Sequence, residues 1–333
     1  MRWGLIGASD IAETRMIEAL RLRGHQVVGV MSSSKERGEA FAMRNQLERS
    51  TNSLAELLAW DIEAVYISTT NELHAEQAVA AARAGKHILC EKPLAMSSTA
   101  CREMIIAAEQ NNVVLATNHH LRNAATNQTI KQLIAEGVIG KVHSIQINHA
   151  VSLPERLRGW RLSNPEKGGG VVLDITVHNL DLVRYFLDED MDEVTAVVSN
   201  KGFKSEKVED ESVCVFTSMT GVIVTTHESF NIQNSVPSVE VFGSEGTIFA
   251  TRNLSQDPIG SVYSRTSSGE KEIEISVREN LYTVLLKKFE TAIQTGSKPA
   301  SDGEDGMQAV VGALAALKSA AEKRTVSLKE MMR

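Results

Sequence analysis

The feature that most limits what this chain can become is the alternation within residues 1–120, where short unbroken apolar runs are separated by stretches with helical spacing. The runs Arg2–Ile6, Val27–Met31, Ala64–Ser68, His87–Cys90 and Val113–Thr117 predict strands, and residues 11–23, 35–45, 53–59, 72–84 and 97–111 predict the helices between them. Strands that alternate with helices are joined by crossovers, and crossovers make a parallel sheet. Ala64-Val65-Tyr66-Ile67 is apolar at every position, as a strand covered on both faces requires. Gly85 and Asn111-Asn112 fall where a helix end takes a left-handed residue.

After Asn118 the rhythm changes. A helix is predicted over residues 125–136, closed by Gly137, and then a long strand over Val142–Val151, a loop rich in Pro, Arg and Gly, and a helix over 174–187. From Val194 to Ile275 the sequence reads as consecutive strands, with turns at Met219-Thr220-Gly221 and at Gly243 to Gly246. Two helices, over 280–295 and 304–323, follow. The chain of 333 residues exceeds the roughly 250–300 that one core serves. The expected fold is therefore α/β in two parts: a doubly wound parallel Rossmann sheet over residues 1–120, and an α+β part over 121–333 built on an open, largely antiparallel sheet.

Composition removes other classes. With 42% apolar residues the chain buries enough surface to order itself. A formal charge of −7 without a long basic run argues against nucleic acid or an anionic membrane as partner. No apolar stretch approaches the ~20 residues of a membrane span. Cys90, Cys101 and Cys214 make no CxxC pair, and Met1-Arg2-Trp3 runs straight into a strand rather than a signal peptide. The expected location is the cytoplasm.

The first strand–turn–helix, Gly4-Leu5-Ile6-Gly7-Ala8-Ser9-Asp10-Ile11-Ala12, places Gly7, Ser9 and Ala12 in the three glycine slots of a dinucleotide-binding turn. Each slot needs a small residue: for the turn, for approach to a pyrophosphate, and for packing of helix on strand. The N–H groups opening the helix would face the anion, although a tight turn without ligand has the same outline. About 20 residues on, a ribose-binding acid is expected after the second strand. Ser32-Ser33-Ser34-Lys35-Glu36-Arg37 stands there instead. Hydroxyls beside a guanidinium suit a 2′-phosphate, which points to NADP (NADPH). The same residues would also serve as a helix cap and a solvated first turn.

Two further sets carry chemistry. Lys92 follows the strand that ends at Cys90, where parallel sheets bind ligands, and Pro93 restricts its backbone. An ammonium there could polarise a carbonyl, though a strand-end lysine is often only a surface charge. Farther on, Gly168-Gly169-Gly170 precedes Asp174 and His178, which at i and i+4 share a helix face. Histidine is a natural proton donor near neutral pH; the alternative is a core histidine bonded to a local aspartate. His119-His120 invites a metal, but adjacent residues on one strand point apart, so no metal site is expected.

The initial Gly-Leu-Ile-Gly-Ala-Ser turn, Ser68-Thr69-Thr70-Asn71-Glu72-Leu73-His74, Cys90-Glu91-Lys92-Pro93, Thr117-Asn118-His119-His120 and the Asp174/His178 pair resemble the Gfo/Idh/MocA oxidoreductases over essentially the full length. The resemblance implies NADPH-dependent reduction of a sugar-derived ketone by hydride transfer, with Lys92, Asp174 and His178 as catalytic residues. His178 would protonate the new alkoxide, Lys92 would polarise the carbonyl and Asp174 would orient the substrate or its neighbours. It also implies cofactor contacts at Ala8, Ser9, Asp10, Ile11, Ser32, Ser33, Arg37, Thr69, Thr70, Asn71, Glu72, Leu73, His74, Glu91, Lys92, Asn118, Trp160, Arg161 and Tyr282. The partner would be a small sugar-like molecule, and a monomer is favoured over a homo-oligomer. The chain departs from the family pattern by losing two glycines and the acid after the second strand. An inositol- or glucose-type dehydrogenase and a dinucleotide-binding regulator without chemistry are the competing readings.

Overall fold

A computed structural model describes residues 1–332. The chain divides into two compact units, the first made of Met1–His119 with Tyr282–Met307. Its sheet has six strands: β1 (Arg2–Ile6), β2 (Gln26–Met31), β3 (Arg49–Thr51), β4 (Ala64–Ile67), β5 (His87–Cys90) and β6 (Leu115–Thr117). All neighbours are parallel, in the order β3-β2-β1-β4-β5-β6. The connecting helices are α1 (Ile17–Leu22), α2 (Lys35–Arg44), α3 (Leu54–Leu58), α4 (His74–Arg83) and α5 (Ser98–Gln110). Every residue of β4 is buried, as its unbroken apolarity requires. Gly85 (φ +70°) and Asn112 (φ +54°) take the expected left-handed conformations at helix ends. The sequence order reverses between β1 and β4, so their carboxyl ends flank the switch point at which such sheets bind ligands.

Two sequence expectations need correction here. The edge strand β3 went unread, because Arg49-Ser50-Thr51 is short and polar. The expected division at residue 120 assigned everything after it to the second part, yet Tyr282–Met307 belongs to the first unit. Phe289 packs on Trp3 with ring centroids 5.4 Å apart. Glu290 receives hydrogen bonds from Arg23 at 2.7 Å and pairs with His25 at 2.7 Å. The Thr117 N–H donates to the Ser301 carbonyl at 3.0 Å. Contacts of this length-spanning kind leave no local trace in the sequence.

The second unit takes His120–Leu281 and the residues from Gln308 onward. Its strands are β7 (Val142–Ala150), β8 (Met191–Ser199), β9 (Glu211–Ser218), β10 (Ile223–Ser229), β11 (Ser238–Gly243), β12 (Gly246–Thr251), β13 (Ser261–Thr266), β14 (Gly269–Ile273) and β15 (Val326–Ser327). They form one sheet in the order β14-β13-β12-β11-β7-β10-β9-β8-β15, with β7 and β10 parallel and the other neighbours antiparallel. Alternation divides its faces: Val194, Phe216 and Val224 are buried, whereas Val197, Val213, Val215 and Ile223 are exposed. The helices are α6 (Ala125–Ala135), α7 (Arg158–Arg161), α8 (Val177–Leu187), α9 (Leu281–Thr295) and α10 (Gly303–Glu322). The last two extend across the boundary between the units in sequence. Among the described residues no helix is long and apolar enough to cross a membrane.

Candidate active site

In the first unit, the turn after β1 is built against the end of β4. Gly7 has φ +115°, and a Cβ there would lie 2.8 Å from the Ser68 carbonyl carbon, so only glycine fits. Ser9, in the second slot, uses its hydroxyl twice: it donates to Ser68 Oγ at 2.7 Å and accepts from the Ala12 N–H at 3.2 Å. The serine thus caps the helix whose start it precedes. A π-helical turn, Ala12–Met16, leads into α1, and wide turns of this kind are frequent at functional sites.

At the end of β2, Ser32 is buried and its hydroxyl accepts from Arg37 Nε at 3.0 Å. Arg37 Nη2 donates to Ser33 Oγ at 3.2 Å. Ser34 caps α2 by accepting from the Arg37 N–H. Ser34 is the helix cap, as one of the two sequence readings expects, and Ser32 and Ser33 orient the guanidinium.

Beyond β4, Thr69 and Thr70 lead into a 3-10 turn at Asn71–Leu73 and then α4. Thr69 Oγ1 donates to Gln77 at 2.7 Å and Thr70 Oγ1 to Glu72 at 2.9 Å. His74 is fully buried, with Nδ1 3.0 Å from the Pro93 carbonyl and Nε2 3.3 Å from the Thr69 carbonyl.

Lys92 follows Glu91, whose carboxylate accepts from the Tyr66 hydroxyl and from Asn118 Nδ2. Burial raises the Glu91 pKa above the ordinary carboxyl value, against the opposing effect of those bonds and of the Lys92 charge. The Tyr66 phenol is pushed well up, by burial first and by the neighbouring Glu91 second. Asn118 is fully buried; its N–H donates to the Cys90 carbonyl at 2.7 Å, and its Oδ1 has no hydrogen-bond partner among the described residues. Tyr282, also fully buried, belongs to this unit.

In the second unit, the three glycines are used for close approach. A Cβ on Gly169 would meet the Asn164 and Trp160 carbonyls at 2.8 Å, and one on Gly170 (φ +107°) would strike the Glu209 carboxylate. Glu209 accepts from the Val172 N–H at 3.0 Å, so it caps the next helix from a distant loop. That helix opens with a π turn, Val172–Thr176, before α8. Asp174 therefore sits in a wide turn rather than the α-helix expected from its spacing. Arg161 Nε lies 3.3 Å from Asp174 Oδ2, and its guanidinium stacks over Trp160 at 4.6 Å.

His178 is almost buried on α8, edge to face with His120, ring centroids 4.9 Å apart. The expected strand through His119-His120 is absent; β6 stops at Thr117 and His120 opens a 3-10 turn through Asn123. From that turn Arg122 pairs with Asp181: Nε donates to Oδ2 at 2.8 Å, and Nη2 lies 2.7 Å from Oδ1 as an ion pair. Behind α8, His149 Nδ1 lies 2.9 Å from Asn179 Oδ1, Asn179 Nδ2 donates to Glu228 at 2.8 Å, and Ser212 donates to the other Glu228 oxygen at 2.7 Å. The structure thus groups Gly7, Ser9, Ser68 and Ala12, groups Ser32, Ser33 and Arg37, bonds Tyr66 and Asn118 to Glu91, the residue before Lys92, and joins Trp160, Arg161 and Asp174.

Sequence reasoning missed Tyr66, Arg122 and Glu209, and named His120 without seeing its contact with His178. A lone hydroxyl inside an otherwise apolar, doubly covered strand was a usable signal for Tyr66. Glu209 acts over a long sequence separation and gave none.

The first unit fits a nicotinamide dinucleotide. Gly7 makes the tight turn between β1 and the first helix, Arg37 supplies a fixed positive group after β2, and Asn118 Oδ1 is a buried acceptor with no donor among the described residues. Comparison with known proteins agrees. Residues 1–119 match the oxidoreductase family with an NAD-binding Rossmann fold, and 127–249 match the GFO/IDH/MocA C-terminal domain. The chain is 46% identical to 1,5-anhydro-D-fructose reductase of Ensifer adhaerens, covering 96% of each. It is 29% identical to myo-inositol 2-dehydrogenase of Thermotoga maritima over the whole of both. Among solved structures, aldose-aldose oxidoreductase from Caulobacter crescentus, complexed with glycerol, has a TM-score of 0.89 at 23% identity, covering 98% of this chain and 99% of that one. The chain belongs to the Gfo/Idh/MocA family, and it is a nicotinamide dinucleotide-dependent oxidoreductase acting on CH–OH or C=O groups.

Proposed function

We propose that this chain reduces 1,5-anhydro-D-fructose to 1,5-anhydro-D-mannitol with NADPH. The observation that carries the reading is the 46% identity to 1,5-anhydro-D-fructose reductase across 96% of both chains. The coenzyme preference is supported by the run Ser32-Ser33-Ser34 after β2, where no carboxylate stands to repel a 2′-phosphate, and by the guanidinium of Arg37 bonded to two of those hydroxyls.

Bound NADPH supplies the hydride. The remaining work is electrostatics and proton transfer by side chains. As a carbonyl becomes an alkoxide, the Lys92 ammonium gains interaction with the oxygen, which lowers the barrier rather than merely strengthening substrate binding. His178 gives the alkoxide its proton, so one hydride and one proton together convert C=O to CH–OH. Asp174, paired with Arg161, holds an acceptor in place for substrate hydroxyls. Glu91, Asn118 and the loop Thr69 to Leu73 would hold the nicotinamide end, and the turn from Ala8 to Ala12 would hold the pyrophosphate.

A second reading, oxidation of a cyclic polyol, is favoured by the full-length match to myo-inositol 2-dehydrogenase. Incubating the purified protein with NADPH and 1,5-anhydro-D-fructose, and fixing the configuration of the new carbinol by NMR, separates the two. Stoichiometric NADPH loss with the manno product is expected. Absence of turnover here, alongside NAD-linked oxidation of myo-inositol, would replace the first reading with the second.

A further inference from the structure

The side chain of His74 presents a relationship that a cofactor contact does not explain. It is the first residue of α4 and has no solvent exposure. Its two ring nitrogens face backbone carbonyls on different segments, Nδ1 toward Pro93 at 3.0 Å and Nε2 toward Thr69 at 3.3 Å. A neutral imidazole has one N–H, so it serves one carbonyl fully. Burial holds the imidazole below its ordinary pKa, although both carbonyls and the nearby Glu72 oppose this. The shorter contact is the one at Nδ1, and a neutral ring with its hydrogen there would donate to the Pro93 carbonyl.

The consequence falls on the residue between two tethers. On one side of Lys92, Glu91 is bound by Tyr66 and Asn118. On the other, Pro93 is bound by His74. We propose that His74 is a positioning residue for Lys92: its Nδ1–H bond to the Pro93 carbonyl fixes the bend after β5 and so aims the ammonium, and its ring does not bind the cofactor. Because this rests on Lys92 acting as the electrophile, Lys92→Met is measured in parallel.

The amide nitrogen of asparagine falls where Nδ1 of histidine does, and that of glutamine where Nε2 does. His74→Phe should lower kcat by roughly tenfold to a hundredfold, as a displaced catalytic group does, with NADPH Kd within about threefold of wild type. His74→Asn should recover most of kcat and His74→Gln should not. The wild-type protein, labelled with 15N-histidine, should show the Nδ1–H tautomer for His74. Wild-type kcat in His74→Phe, equal rescue by Asn and Gln, lost NADPH affinity at unchanged saturated kcat, or an Nε2–H tautomer would each overturn the proposal. Should His74→Phe fail to fold, the contrast between Asn and Gln and the tautomer still decide. If Lys92→Met keeps wild-type turnover, the electrophile assignment is what has failed. If Lys92→Met is impaired while His74→Phe is not, the brace alone is wrong.

Discussion

Arg37 donates through Nε to the buried hydroxyl of Ser32 across 3.0 Å, and this bond turns a flexible surface arginine into a directed positive group at the end of β2. Its Nη2 is held by Ser33 at 3.2 Å. A guanidinium so fixed loses little further freedom on meeting a phosphate.

Arg37→Ala should accordingly weaken NADPH binding by about 1.5–3 kcal/mol, the range for hydrogen bonds to charged groups. NADH binding should barely move, since it lacks the 2′-phosphate. Fluorescence titration of both coenzymes checks this, and parallel losses for the two would remove Arg37 from the phosphate site.

His178→Ala should lower kcat by roughly 10²–10⁴ while NADPH affinity survives, because general acid catalysis contributes about that much. Coenzyme titration and steady-state assays on one preparation separate the two quantities. A variant that keeps most of its turnover would leave the proton donor elsewhere.

Glu228 gives a pH-dependent prediction. The carboxyl is fully buried, and its pKa is raised by burial despite hydrogen bonds from Ser212 and Asn179. The folded state therefore binds this proton more tightly than the unfolded chain does. Its stability contribution is complete below the ordinary carboxyl pKa and is lost as pH rises through the raised value. Glu228→Gln, which does not titrate, should gain stability relative to wild type as pH rises from the ordinary carboxyl pKa through the raised one. Urea denaturation across that range measures the difference, and a difference independent of pH would mean that Glu228 keeps an ordinary pKa.

The parts of this fold that were legible in the sequence are those set by local pattern. Unbroken apolarity marked β4, alternation marked β9 and β10, and Gly85 and Asn112 marked helix ends. The short polar strand β3 and the return of Tyr282–Met307 to the first unit depend on partners far away in sequence. The site divides the same way. Gly7 announced itself because its turn admits no side chain. Spacing marked Asp174 and His178 but not the π turn beneath Asp174, since nothing in Val172-Leu173-Asp174-Ile175-Thr176 encodes an extra residue per turn. The capping of that turn by Glu209 spans 37 positions.

The same blindness hid the pair that carries the last prediction. Asp181 lies nearly one turn beyond His178 on α8, and Arg122 lies two residues beyond His120, so the Arg122–Asp181 bonds join the two segments that hold the imidazoles edge to face. Both charges are buried, Arg122 at 6% and Asp181 at 1% exposure. Arg122→Met takes the guanidinium away from a buried carboxylate and should cost about 3–5 kcal/mol of stability. Adding Asp181→Leu removes that charge and should return most of the loss, because a buried pair is often no more stabilising than apolar residues of similar size. Urea unfolding of the single and double variants measures this coupling directly. Activity should not return with stability. Without this pair the 120–123 turn loses its charged hydrogen bond to α8, so kcat/KM of the double variant should remain below wild type at a pH where both are fully folded. Recovery of stability and kcat/KM together would reduce Arg122 and Asp181 to packing.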